Sequence, residues 1–275
     1  MTKRFYPPER LSLFRKMAAV TWDAPGDPTI YGATEIDATA LVDWIAARRA
    51  AGARISVTHA VARAMARILG ENPDLNCTLK RGRIYRRRDV DVFLQVAVPP
   101  EDGGLQAADL SGACIRNADK LSTSEIGTKL AEIAEKIRNR DDPLLKSTKK
   151  NLAWMPPWLM RIAIRAASYI SHDLGISLKA FGIPDDPFGS LLVTSVGMLG
   201  IPQAFAPLFP QAKGIGVVLV GKLYDGVKVI DGEIRIRKLL PLTIALDHRL
   251  VDGFQAAVLA KHAVRLLEQP DDLDA

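Results

Sequence analysis

The chain has 275 residues, of which 48% are hydrophobic and 25% charged, with a formal net charge of +6. That is enough apolar material for one large domain or two small ones, and no run of about 20 uncharged apolar residues occurs that would span a bilayer. The two cysteines, Cys77 and Cys114, form no CxxC pair, which argues against a disulfide framework or a structural metal site and for a reducing cytoplasm. The positive balance suits an anionic ligand and does not demand nucleic acid.

Residues 1–28 are rich in proline and charge and read as an N-terminal arm, with 29–275 as the domain. The first residues are basic but lack the apolar run of a secretory signal. Thr29 to Ile36 alternates as a strand does, and Asp37 is placed to cap a helix that runs to Arg49. Gly52 breaks that helix. Ser56 opens a second one, Val57 to Leu69, which ends at Gly70 and Pro73. Arg81, Arg83, Arg86, Arg87 and Arg88 cluster around an expected strand turn and read as a solvated hairpin tip ahead of a phosphate or nucleic-acid site.

Val90, Val92, Leu94, Val96 and Val98 share one parity, which predicts a half-buried strand stopped by Pro99-Pro100. Glu101 to Asp109 reads as a loop. Ser122-Thr123-Ser124-Glu125 has capping-box spacing before a helix to about Arg138. In 147–188 a helix is expected over Leu159 to His172, with Leu159, Ile162, Ala166 and Ile170 on one side and Arg161, Arg165, Ser168 and His172 on the other. Leu191 to Ser195 and Gly216 to Val220 are short apolar strands. Asp231-Gly232 joins Val227–Ile230 to Glu233–Arg237 as a hairpin. Pro241 to Leu246 is the last strand and Gly253 to Glu268 the last helix. This order predicts an α+β fold with one main sheet.

The chemistry concentrates in Asp247-His248-Arg249-Leu250-Val251-Asp252-Gly253, a polar turn between a buried strand and a helix. A histidine there can act as a general base near neutral pH. The bland alternative makes Asp252 a helix cap and Asp247–Arg249 a surface pair. His59 and His262, both in predicted helices, read as structural, and Cys114 as buried and inert.

The segment resembles the His-x-x-x-Asp-Gly signature of the dihydrolipoamide acyltransferase catalytic domain, a family related to chloramphenicol acetyltransferase. Gly189 to Gly200 is similar to the family's "TISNLGMFG" strand, Ile115 to Ser122 to "IRNADKLS", and Glu71 to Asn76 to "xHPxLN". The resemblance implies a mixed sheet flanked by helices, assembled as a homotrimer with active sites between subunits and, in many relatives, as a larger cubic assembly. It implies transfer of an acyl group between CoA and a thiol, hydroxyl or amine acceptor. His248 would be the base, Asp252 the group that orders the site, and Thr194 the hydroxyl that hydrogen-bonds the oxyanion where the family has serine. Ser195, Gly197 and Arg249 fall on the CoA side, with Arg249 chiefly holding the turn.

Three departures from the family stand out. Lipoyl and subunit-binding segments are not found upstream, so no covalently bound lipoate is expected on this chain and the acceptor, or a lipoyl domain, would come in trans. Asp102 to Asp109 lengthens a connection that is short in the family. Residues 147–188 form a helical insertion, read as a packing or oligomer-contact helix, a lid over the acceptor channel, or a membrane-surface helix through 152–174 with Trp154 and Trp158 at the interface. The threonine and the absent lipoyl segment also allow a second reading, a catalytically degenerate scaffold or assembly core.

Overall fold

The structure is a computed structural model and describes residues 27–98, 109–138 and 156–275. The arm up to residue 26, the Pro99-Pro100 stop, the loop to residue 108 and Trp154 lie outside the described residues. The strands are β1 (Thr29–Asp37), β2 (Cys77–Lys80), β3 (Arg83–Arg86), β4 (Val92–Val98), β5 (Asp109–Ile115), β6 (Leu191–Ser195), β7 (Gly216–Val220), β8 (Tyr224–Ile230) and β9 (Glu233–Asp247). The helices are α1 (Thr39–Ala50), α2 (Val57–Glu71), α3 (Thr123–Arg138), α4 (Pro157–Ser168) and α5 (Gly253–Glu268).

A seven-stranded mixed sheet runs in the order β1-β9-β7-β6-β4-β5, and β8 pairs with the first half of β9. The pairs β4–β6 and β6–β7 are parallel and the remaining pairs antiparallel. Strand β6 is short and apolar because it is buried between neighbours on both sides. Alternate residues Leu191 and Val193, Val218 and Val220, and Leu240, Leu242 and Leu246 enter one core with α2, α5 and the start of α3. Helix α2 is buried along most of its length, with Ala60, Ala64, Met65 and Ile68 against the sheet.

The helix starts follow their capping residues. The Ser56 hydroxyl accepts from the His59 N–H at 3.3 Å, and Ser122 and Glu125 form the reciprocal pair that their spacing predicts. At α1 the N-cap position is Ala38, not Asp37 as the sequence suggests, and the Asp37 carboxylate one residue earlier accepts from the Thr39 N–H at 3.2 Å. The Asp231-Gly232 turn has φ of 53° and 82°, the left-handed pair that a two-residue hairpin requires.

Three elements differ from the sequence reading. Strand β5 begins at Asp109 and was hidden because Ser111-Gly112 carries no alternation. Strand β9 is continuous over 15 residues, joining what reads as a hairpin arm and a separate last strand. The insertion helix stops at Ser168 and is followed by one wider π turn, Tyr169–Asp173. Its inner face is also rotated from the expected stripe: Ile162 is 57% exposed and Ala166 is exposed, whereas Ala163, Ile164 and Ala167 turn inward. Packing on the β2–β3 hairpin, through His172, sets this rotation.

Candidate active site

The turn after β9 is held from four sides. The buried Asp247 ends the strand, and its N–H donates to the Ile215 carbonyl at 2.9 Å. The His248 N–H donates to the Pro28 carbonyl at 2.8 Å, which ties the turn to the entry of β1. The Leu250 and Val251 N–H groups fold back on the Asp247 carbonyl at 2.9 and 3.0 Å, and both side chains are buried. Leu250 and Val251 are therefore anchors, and His248 and Arg249 point outward between Asp247 and Leu250.

Asp247 and Arg249 form a fork. Arg249 donates to the carboxylate from its backbone N–H at 3.0 Å, from Nε at 2.9 Å and from Nη2 at 2.6 Å. Burial alone would raise the Asp247 pKa. The Arg249 side-chain and backbone donors and its charge outweigh that effect and hold the carboxyl below the usual carboxylate range. A group depressed in the folded state stabilises the protein above its unfolded pKa, about pH 4, and that contribution is lost as pH falls through the folded value. The difference in unfolding free energy between wild type and Asp247→Asn is accordingly constant from neutral pH down to about pH 5 and shrinks below about pH 4, as urea denaturation across that range will read.

The His248 ring is set by a carbonyl. Its Nδ1 lies 2.9 Å from the Val251 carbonyl oxygen. A carbonyl can only accept, so Nδ1 carries the proton and Nε2 presents its lone pair outward. That is the tautomer a general base needs. The ordering role expected of Asp252 falls here to Val251. Asp252 accepts from the Gln255 N–H at 2.8 Å while Gln255 Oε1 accepts from the Asp252 N–H at 3.0 Å, a capping box at the start of α5. Asp252 acts on the site by fixing where the helix begins, because its carboxylate is occupied by the helix and does not reach the ring nitrogens.

Thr194 lies far from this turn within one chain. In the sheet, Thr194 pairs with Leu219 and Leu219 with Thr243. Because β9 runs antiparallel to β6 and β7, His248 lies five residues further along, at the opposite end of the sheet, about 16 Å at 3.3 Å per residue. The same register puts Thr194 on the sheet face away from the helices, and its hydroxyl makes no hydrogen bond among the described residues. Ser195 shares a row with Val220 and Leu242, which enter the core, so it faces the helix layer. At Gly197 a Cβ would stand 2.6 Å from the Gly221 carbonyl, so the backbone after β6 can approach that strand end only with glycine. Arg249 is committed to Asp247.

The other candidates fall outside the turn. Burial pushes the Cys114 thiol up to about 12 and raises that of Cys77, so neither is a nucleophile near neutral pH. His59 and His262 each have a buried Nδ1 without a partner and lie on α2 and α5. The basic cluster does surround a hairpin turn, with Arg81 and Gly82 at φ of 47° and 74°. Two features of the surroundings were not legible in the sequence. One is a cavity of about 640 Å³ beside the turn, reached by Asp247, Arg249, Leu250, Phe209 and Lys213. The other is the role of Val251, since a backbone carbonyl leaves no mark on side-chain identity.

A family model for the 2-oxoacid dehydrogenases acyltransferase catalytic domain matches residues 11–143 and 185–274. The chain belongs to this family. Residues 144–184 fall between the two matched stretches. A dihydrolipoyllysine-residue acetyltransferase component of an acetoin cleaving system from Bacillus subtilis (strain 168) is 27% identical over 220 residues, 80% of this chain and 43% of that protein. A pyruvate dehydrogenase component of the same class from Azotobacter vinelandii is 26% identical over 85% of this chain and 29% of its own length. The chain thus spans less than half the length of these curated relatives. Among solved structures, Azotobacter vinelandii dihydrolipoamide acetyltransferase superposes with a TM-score of 0.64 at 22% identity, covering 98% of this chain and 99% of that one. That structure was determined to probe the roles of a serine, a histidine and an asparagine in its catalytic mechanism. The cubic core of a pyruvate dehydrogenase multienzyme complex gives the same TM-score, 0.64, at 22% identity and the same coverage. A probable dihydrolipoamide acetyltransferase from Listeria monocytogenes gives 0.63 at 21% identity, covering 96% of this chain and 95% of that one. These likenesses establish a shared fold, a mixed sheet flanked by helices. No helix among the described residues is long and apolar enough to cross a membrane.

Proposed function

We propose that this chain is a CoA-dependent acyltransferase in which His248 is the general base and Thr194 the oxyanion donor. The observation that carries the reading is the 2.9 Å contact of His248 Nδ1 with the Val251 carbonyl, which selects the neutral tautomer with Nε2 as acceptor. In the forward step, Nε2 takes the proton from a thiol, hydroxyl or amine acceptor. The acceptor attacks the carbonyl carbon of the acyl-CoA thioester, and the carbonyl oxygen becomes an oxyanion that the Thr194 hydroxyl hydrogen-bonds. The C–S bond then breaks, the acyl group stays on the acceptor, and the CoA sulfur takes the proton back from His248. A base of this kind supplies about 10²–10⁴ in rate.

The distance between Thr194 and His248 within one chain supports a site completed by a second copy, with the hydroxyl and the imidazole from different subunits. Family membership and the fold shared with a cubic core support such an assembly. Ser195, Gly197 and Arg249 serve the CoA side indirectly, Gly197 through backbone shape and Arg249 through the turn. The histidine-to-aspartate spacing of four residues is that of the histidine and asparagine probed in the Azotobacter vinelandii enzyme, and Thr194 stands for its serine.

The test is turnover by the full chain with acetyl-CoA and dihydrolipoamide, followed by CoA release. Acceptor-dependent release that His248→Ala abolishes is expected. A large assembly that neither binds CoA nor turns over would favour the scaffold reading.

A further inference from the structure

The described part of the stretch between the two family-matched segments borders a half-open chamber. Together with the β2–β3 hairpin and the loops before β6 and β7, α4 and its π turn bound a cavity of about 1240 Å³. The insertion is fastened to the hairpin rather than resting on it. His172 Nε2 lies 3.1 Å from the Leu79 carbonyl and 3.3 Å from the Thr78 hydroxyl. The Arg81 N–H donates to the Asp173 carboxylate at 3.2 Å, and Arg87 pairs with Asp186.

The walls are of two kinds. Ala163, Ile164 and Ala167 present an apolar face, extended by Phe188 and Phe209, whose rings stand edge to face at 5.0 Å. The opposing side is rich in charge, with six lysines and arginines and five carboxylates. Asp91 is paired by Arg116 at 2.7 Å, Asp185 by Lys179 at 3.1 Å and Asp186 by Arg87, Asp173 accepts from the Arg81 N–H, and Asp89 makes no ion pair among the described residues. Lys80, Arg88 and Lys213 line the chamber with no carboxylate at ion-pair distance among the described residues. The Arg87 side chain is only 10% exposed, and its Nε is buried without an acceptor.

The chamber also adjoins the cavity beside the His248 turn. Arg81, Asp173, Phe209 and Lys213 line both this cavity and the smaller one that touches Asp247, Arg249 and Leu250. We infer that the chamber binds an anionic amphiphile, a carboxylate or phosphate held by Lys80, Arg88 and Lys213 on an apolar body lying against α4. That this molecule is the acyl acceptor rests on the proposed acyltransferase reading; that it binds does not. Residues 144–184 lie outside the family match, so the apolar wall supplied by α4 belongs to the chain's own insertion, whereas Lys80, Arg88 and Lys213 lie within the matched segments.

Calorimetric titration of the full chain with octanoate and with octyl phosphate tests the inference, with acetate, inorganic phosphate and octylamine as head-only and opposite-charge controls. Saturable binding of at least one octyl anion is expected, and which of the two is tighter identifies the head group. Lys80→Gln/Arg88→Gln weakens it by about tenfold or more, as does Ala167→Trp, which fills the apolar side. The Lys80 and Arg88 side chains make no hydrogen bond or ion pair among the described residues, so the double variant is expected to keep its melting temperature. His248→Ala binds octanoate as wild type does, and a wild-type chain that binds octanoate yet transfers no acyl group counts against the acyltransferase reading alone. The inference is overturned if neither octyl anion binds, if octylamine or the bare head groups bind as tightly, or if the double variant leaves affinity unchanged. It is also overturned if CoA displaces octanoate and the double variant weakens CoA equally, since the chamber would then be the CoA site.

Discussion

Replacing His248 with alanine lowers acyl transfer by about 10²–10⁴-fold with little change in unfolding free energy. The ring is exposed and makes one hydrogen bond, to the Val251 carbonyl, so its removal leaves no cavity and costs only that one bond. The anchors of the turn, Leu250, Val251 and the Asp247–Arg249 fork, remain in place. The loss therefore falls on kcat, because the ring acts on a proton in the transition state and not on substrate binding. Steady-state kinetics beside urea denaturation separate the two: unchanged stability with a large fall in kcat is expected, whereas parallel losses would make His248 a structural residue.

Thr194→Val lowers kcat by about 10²–10³-fold, and Thr194→Ser retains most of the activity. Valine keeps the branched shape and the strand preference of threonine but has no hydroxyl. Because the hydroxyl forms no hydrogen bond within the described chain, its removal costs the fold little, and the effect reads the transition state directly. The serine variant separates hydroxyl chemistry from shape. If valine and serine behave alike, the oxyanion donor lies elsewhere.

The site was legible in the sequence where side chains carry the information. The Asp247 to Gly253 turn, the capping boxes at Ser122 and Asp252, and the pairing of alternate faces in β6 all follow from residue types and spacing. What the sequence hid was long-range or carried by backbone. Pro241 reads as a strand start, yet it sits within β9 at the place where the partner changes from β8, whose first residue Tyr224 lies opposite Leu239, to β7, whose last residue Val220 lies opposite Leu242. Its carbonyl accepts from Gly221, and the missing N–H on the same side falls where no ladder partner stands. The inner face of α4 was misread because the helix is amphipathic on two sides, and only the hairpin it meets decides which side turns in. The His248 tautomer depends on a main-chain carbonyl, which no residue type announces.

The central claim is that the imidazole of one subunit works with the Thr194 hydroxyl of another. Complementation between two inactive chains tests it most directly. His248→Ala and Thr194→Val chains, co-expressed so that they mix at random within oligomers, restore about a quarter of wild-type activity per site, because one site in four pairs an intact histidine with an intact threonine. Each variant alone stays inactive. Mixed oligomers with no more activity than either parent would contradict a site shared between chains.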